Sequence, residues 1–234
     1  MRYIDIEYAN INASDFRIYA TDFPSIPAPK EKVDEIVVPG RNGVLRTRTG
    51  KYEEVPIPIE FNYIGEESEW HSIWRKAKMW LANRNAKLKM ADDSEYFYRI
   101  SHVELSQNER LTRRIGKFSA VFMSVDGMSY FYAGAEEMSI SKAKSNPGIT
   151  CEPIYKLSGS GLCTLTVNGN SVKANVSQNL TIDTERMIAY REDGTLVNTS
   201  ISGDYEDLYL QPGENTVSVT SGFDCKIIPN WRCL

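Results

Sequence analysis

The residues of this 234-residue chain that could carry catalysis or hold a metal are few: two histidines, four cysteines and two acidic clusters. His71 falls at a helical position off that segment's apolar stripe, and His102 falls in a strand pattern. Neither has a cysteine, a nucleophile elbow or an acid pair in an arrangement that would activate a nucleophile, and no glycine-rich phosphate loop is present. Asp92, Asp93 and Glu95 form one acidic cluster, and Asp183 with Glu185 another. Both coincide with turns, where Asp caps its own backbone, and neither has the spacing of a calcium loop. Cys151, Cys163, Cys225 and Cys233 all lie in the C-terminal part without a Cys-x-x-Cys pair or a histidine nearby. That spacing argues against zinc and for buried thiols, with Cys151 and Cys233 open as a pair should the domain's ends meet. No catalytic residue, metal site or cofactor follows from these residue types, and the chain reads as a non-enzyme.

The residues that stand out carry charge rather than chemistry. Pro39-Gly40 and Asn42-Gly43 are turn dipeptides, and Arg41, Arg46, Arg48, Lys51 and Tyr52 follow on an extended arm with no acid between Pro39 and Tyr52. An arm with so little apolar surface cannot bury a face in its own core. It is either a solvated hairpin tip or an arm joining one subunit to the next, and the rest of the chain favours the second. The other basic run, Arg75 to Lys89, holds six Lys or Arg and no acid. Single-stranded nucleic acid would need exposed aromatics between those cations, whereas the tryptophans here belong to a buried stripe, so the run reads as a solvated face.

The elements that position these residues are mostly strands. Ile4, Ile6 and Tyr8 alternate with acids, as in a half-buried strand, and residues 16–19 return after a polar turn. Residues 23–29 are a proline-rich extended connection. In residues 55–63 every odd position is apolar and Pro56 and Pro58 occupy the other face, which predicts an edge strand. Trp70, Ile73, Trp74, Ala77, Trp80 and Leu81 recur at helical spacing, with acids before them and cations after, as the helix dipole prefers. Three tryptophans on one stripe pack into a core rather than cage a ligand. Residues 86–90 and 96–105 read as a hairpin, and 118–125 as a strong strand.

Composition sets the class. At 41% hydrophobic and 25% charged, the chain is an ordinary globular one. No apolar run is long enough to span a bilayer, and residues 1–5 lack the apolar core of a signal peptide, so synthesis and folding in the cytoplasm are expected. Up to Tyr130 there are 19 basic and 19 acidic residues; beyond it, 8 and 12. The net charge of −4 therefore belongs to the C-terminal part, which argues against nucleic-acid binding there. It also marks a boundary, giving a first domain over 1–130, a connection over 131–148 and a second domain over 149–234. Short strands and turns alternate through that second domain, including a hairpin turn at Asn168-Gly169, as in an all-β sandwich.

Taken in order, these motifs resemble the distal tail proteins of long-tailed, non-contractile bacteriophages and prophages. The resemblance rests on Val38-Pro39-Gly40-Arg41-Asn42-Gly43, the strand at 55–63, the tryptophan-bearing helix, the strand at 116–125 and Asn146-Pro147-Gly148. It continues through Leu180-Thr181-Ile182-Asp183, the Leu-x-x-Gly-x-Asn pattern of Leu210, Gly213 and Asn215, and Pro229-Asn230-Trp231-Arg232. It implies a mainly β chain: an N-terminal β-sandwich with one helix and a protruding β-hairpin arm, then a galectin-like β-sandwich. It further implies a homo-hexameric ring at the virion tail tip, between the tail tube protein and the tail-tip protein, with DNA only as passing cargo. The second domains would point outward, where receptor-binding or baseplate proteins dock. The compact length leaves no room for a long adsorption arm. The alternative is a carbohydrate-binding protein using the C-terminal sandwich, which would need exposed aromatic platforms among Tyr155, Tyr190, Tyr205, Tyr209, Phe223 and Trp231.

Overall fold

The computed structural model describes residues 4–40 and 42–234, with the side chains of Arg48 and Thr49 outside the description. The described residues are mainly β, with one α-helix, and divide into two compact units at Ser129/Tyr130.

In the first unit, β1 (Ile6–Tyr8), β2 (Ile11–Asn12) and β3 (Ile18–Ala20) precede a hairpin of β4 (Glu31–Val37) and β5 (Val44–Tyr52). Then come β6 (Val55–Ile64), α1 (Trp70–Leu81), β7 (Ala86–Met90), β8 (Asp93–Leu105), β9 (Glu109–Arg110) and β10 (Ile115–Ser124). The sheet runs β2-β1-β7-β8-β10-β6-β3 with antiparallel neighbours. An antiparallel bridge between Ile4 and Ala20 joins its two ends. The closed sheet turns its inner face onto one core of Tyr8, Ile18, Phe61, Tyr63, Phe118 and Phe122.

In β6, residues 55, 57, 59, 61 and 63 are buried and the prolines face out, as the alternation predicts. The strand is an edge only at its proline end: β10 pairs along all of it, while β3 covers Phe61–Tyr63 on the other side. A strand without donors at 56 and 58 can be half-covered only where donors resume.

Helix α1 follows a 3-10 turn, Glu67–Glu69, that opens with a capping box between Glu66 and Glu69. It buries Trp70, Ile73, Ala77, Trp80 and Leu81. Trp80 packs against Tyr8, Phe16 and Phe61, and its Nε1 donates to the Tyr8 carbonyl at 2.9 Å. The tryptophan stripe is core.

The chain passes through β11 (Ser129–Phe131) into the second unit, Tyr130–Cys233. The segment at 131–148, expected to be a connection, is built into this unit. Its β12 (Met138–Ser139) and β13 (Ser145–Asn146) pair with later strands there. Two-residue strands carry no periodicity, and Gly134 and Pro147-Gly148 read as loop, so the sequence alone hides them. The centre of the unit is a long hairpin of β14 (Ile154–Val167) and β15 (Asn170–Asp183), closed by Asn168 and Gly169, both at positive φ. It is followed by β16 (Ile188–Tyr190), β17 (Ile201–Ser202), β18 (Gly213–Glu214), β19 (Val217–Val219), β20 (Asp224–Ile228) and β21 (Arg232–Cys233).

The hairpin serves two stretches of sheet. Its open half lies between β20 and β16, and its closed half between β19 and β17. Gly159 and its register partner Gln178 both take positive φ between the two halves. Side chains from both halves, Tyr155, Leu157, Leu165, Val172, Ala174 and Ile182 among them, share one core.

Candidate assembly interface

The predicted arm is the second half of a two-stranded hairpin. Among the described residues, strands β4 and β5 pair only with each other: Val33 to Val37 run opposite Arg48 to Val44 in continuous register, and a register shift separates them from the basal pair Glu31 and Tyr52. Pro39, Gly40, Asn42 and Gly43 lie in the exposed loop that closes it, with Gly40 and Gly43 in the left-handed region their turns require. Arg41 and the Arg48 side chain lie outside the described residues. Arg46 is on β5, exposed Lys51 is at the base, and Tyr52 is half-buried beside it.

Two features of this arm depart from the sequence reading. First, its cations do not all await a neighbour: Arg46 Nε donates to Glu35 Oε1 at 2.9 Å across the hairpin. Second, the arm is not poor in apolar surface. Val33, Ile36, Val37, Val38, Val44 and Leu45 are all exposed, Val37 by 76%. The reading began at Pro39 and so omitted β4, which supplies three of those six side chains, and Val38 just after it. The missed signal was the apolar content of residues 33–38, which a strand bound for the core would have buried. A two-stranded hairpin is marginal alone, and a cluster of exposed aliphatics marks an interaction surface.

At the base of the hairpin the first unit has a groove of about 600 Å³, lined by Ile26, Pro27, Ala28, Pro29, Tyr52 and Tyr98 among others. Three prolines in the segment leading to it, Pro24, Pro27 and Pro29, offer no backbone donors.

The residues considered for catalysis have structural employment. His71 is exposed on α1. On β8, Ser101 Oγ lies 3.0 Å from His102 Nδ1, and His102 Nε2 lies 3.7 Å from Glu104 Oε1. Ser101 Oγ also lies within hydrogen-bond reach of the Met123 carbonyl, at 3.2 Å, beside a register shift between β8 and β10. Asp183 Oδ1 caps the Arg186 amide at 3.0 Å, which is turn chemistry. Burial, then Asp92 and Glu95, raise the Asp93 carboxyl. The four cysteines form no disulfide. Burial pushes Cys151 and Cys225 up to about 12, where almost no thiolate exists to attack or bind a metal. Among the described residues, no group of three or more metal-ligating side chains converges. None of the second unit's candidate platform aromatics is exposed: Tyr155 is buried with its hydroxyl donating to the Leu208 carbonyl, and the others are half-buried.

The second unit's sequence motifs meet in one hydrogen-bonded knot. Asn146 Nδ2 donates to the carbonyls of Ile149 and Gln211, and its Oδ1 accepts from Gly148 N. At Gly148 a side chain would overlap the Arg232 carbonyl. Buried Arg232 pairs with buried Glu152 at 3.0 Å and donates to the Thr150 carbonyl. Asn215, also buried, binds Gln211 and Gly213 through Nδ2 and Asn168 through Oδ1. The motifs are there to close loops.

The molecule is thus a two-unit, mainly β protein with a two-stranded hairpin that exposes aliphatic side chains. No sequence-family model matches the chain, and no curated protein matches it. A solved structure does: SPP1 Dit (gp 19.1), described as a paradigm of the hub adsorption apparatus in phages that infect Gram-positive bacteria. The two superpose with a TM-score of 0.64 over 97% of this chain and 98% of that one, at 11% identity. The likeness is one of fold, and it spans both units.

Proposed function

We propose that this chain is a distal tail protein, a structural component of a bacteriophage tail tip. In this reading it assembles as a homo-hexameric ring between the tail tube protein and the tail-tip protein, with DNA passing through. Residues 1 to about 130 form the ring, and residues 39–52 lie against the adjacent subunit. The second domain, with 8 basic and 12 acidic residues beyond Tyr130, docks receptor-binding or baseplate proteins that present a basic patch.

The observation that carries the assembly reading is the hairpin, which pairs with no other strand and exposes six aliphatic side chains. In a closed ring each subunit gives one arm and receives one, a heterologous contact that repeats until it closes. The fold shared with a phage hub protein supports the setting. Light scattering on the eluting protein, followed by negative-stain imaging, tests the reading: a ring is expected, and a monomer at every concentration rejects it.

A further inference from the structure

We infer that the apolar tip of the hairpin is received by the groove at the base of a second copy's hairpin; this rests on the arm-exchange reading above and specifies its contact. Tip and groove sit at opposite ends of one ribbon. The groove is bounded by Glu31 and Tyr52, the basal register pair, whereas the tip begins at the distal pair Val37 and Val44. The seven residues of β4 place the two ends about 20 Å apart at strand rise. A hydrogen-bonded ribbon cannot bend its tip back to its own base, so the complement must come from another molecule.

The shape of the tip selects a concave receiver. Directly opposed residues share a face of the ribbon and successive pairs alternate. Val37 with Val44 therefore lies on one face, and Ile36 with Leu45 on the other. A flat docking surface would cover one pair and leave the other in water, whereas a groove covers both. The chemistry of the groove selects side chains over backbone. Its wall at Ile26-Pro27-Ala28-Pro29 lacks amide donors at both prolines, so the edge those positions face cannot donate to an added strand. It offers instead aliphatic and aromatic surface, with Tyr52 and Tyr98 in its lining beside the proline segment and a volume large enough for several aliphatic side chains. Because donor and receiver surfaces differ, the contact is head-to-tail, as ring closure needs.

Three variants of the full chain separate this inference from the reading it rests on, each checked for an unchanged melting temperature. V44D/L45D charges the exposed tip, and A28E charges the groove wall. V44C/A28C sets a thiol on each, against native cysteines that are buried or half-buried. A28E is expected to raise the concentration at half-assembly at least about tenfold, since a charge then meets apolar surface. Oxidised V44C/A28C is expected to give a ladder of covalent multimers that neither single variant gives. Loss of assembly in V44D/L45D, with A28E assembling like the parent and no ladder, would leave the arm reading intact and overturn the groove. Normal assembly of V44D/L45D, or a parent chain that stays monomeric, overturns both.

Discussion

Arg46 and Glu35 face each other across the hairpin at 2.9 Å, an ion pair internal to the arm. Both side chains are largely exposed, at 65% and 49%, and such a pair is worth about 0–1 kcal/mol. Its value lies in holding the ribbon straight for a partner. Arg46→Glu sets two carboxylates directly opposite and should loosen the arm, lowering ring yield while the global melting point barely moves. The swapped double variant, Glu35→Arg with Arg46→Glu, should restore assembly. If the swap stays as defective as the single change, Arg46 acts on the neighbour instead of on its own strand.

Asn215 is the tie that makes the Leu-x-x-Gly-x-Asn pattern a loop. It is buried, and its side chain serves Gln211, Gly213 and Asn168 at 2.7–2.9 Å. Asn215→Ala leaves those backbone groups and the Asn168 amide unsatisfied, and should cost about 2 kcal/mol or more. Urea unfolding followed by Trp231 fluorescence, in a background where Trp70, Trp74 and Trp80 are replaced by Phe, reads that loss. A shift within the error of the parent would mean that water replaces the side chain.

Much of this was legible in the sequence wherever a period ran long enough. The alternation of residues 55–63 and the tryptophan stripe from Trp70 to Leu81 both foretold their burial, because a sustained pattern pins one face to the core. The turn at Asn168-Gly169 was equally plain, since both residues must take positive φ. What stayed hidden was set by partners far along the chain. Met138–Ser139 becomes a strand only because β20 lies beside it. The apolar run at 33–38 is exposed, and its pairing with β5 makes it half of the hairpin, which no local pattern announces. The closing bridge from Ile4 to Ala20 is a single contact with no local signal.

Glu137 makes a pH-dependent clasp in the second unit. Lys156 and Lys226 stand directly opposite on β14 and β20, a repulsive cross-strand pair, and Glu137 reaches them at 2.6 and 2.9 Å. Hydrogen bonds from Lys156 and then Lys226 hold its carboxyl down at about 2, against an ordinary 4.5. A carboxyl lowered on folding stabilises fully above its unfolded value and loses that contribution as pH falls through the folded one. The melting-point gap between the parent and Glu137→Gln should therefore be constant above about pH 5 and shrink from there towards pH 2. A gap that does not change over that range would show the lysines indifferent to the charge.

Gly116 shows how a glycine in mid-strand can be demanded by packing. It lies opposite Tyr63 in the β10–β6 register, and a side chain there would overlap the Tyr63 ring. The ring cannot yield easily: Tyr63 is fully buried, its hydroxyl accepts from Asn108 Nδ2 at 2.8 Å, and it packs near Trp70 and Phe118. Gly116→Ala should therefore destabilise the first unit by about 1–3 kcal/mol, despite alanine's lower entropic cost in a strand. If overlap is the cause, the cost should shrink when Tyr63 is itself shortened to Leu, so that the double variant loses less than the two single losses added. A strictly additive result would place the cost of Gly116→Ala in the backbone and not in the ring beside it.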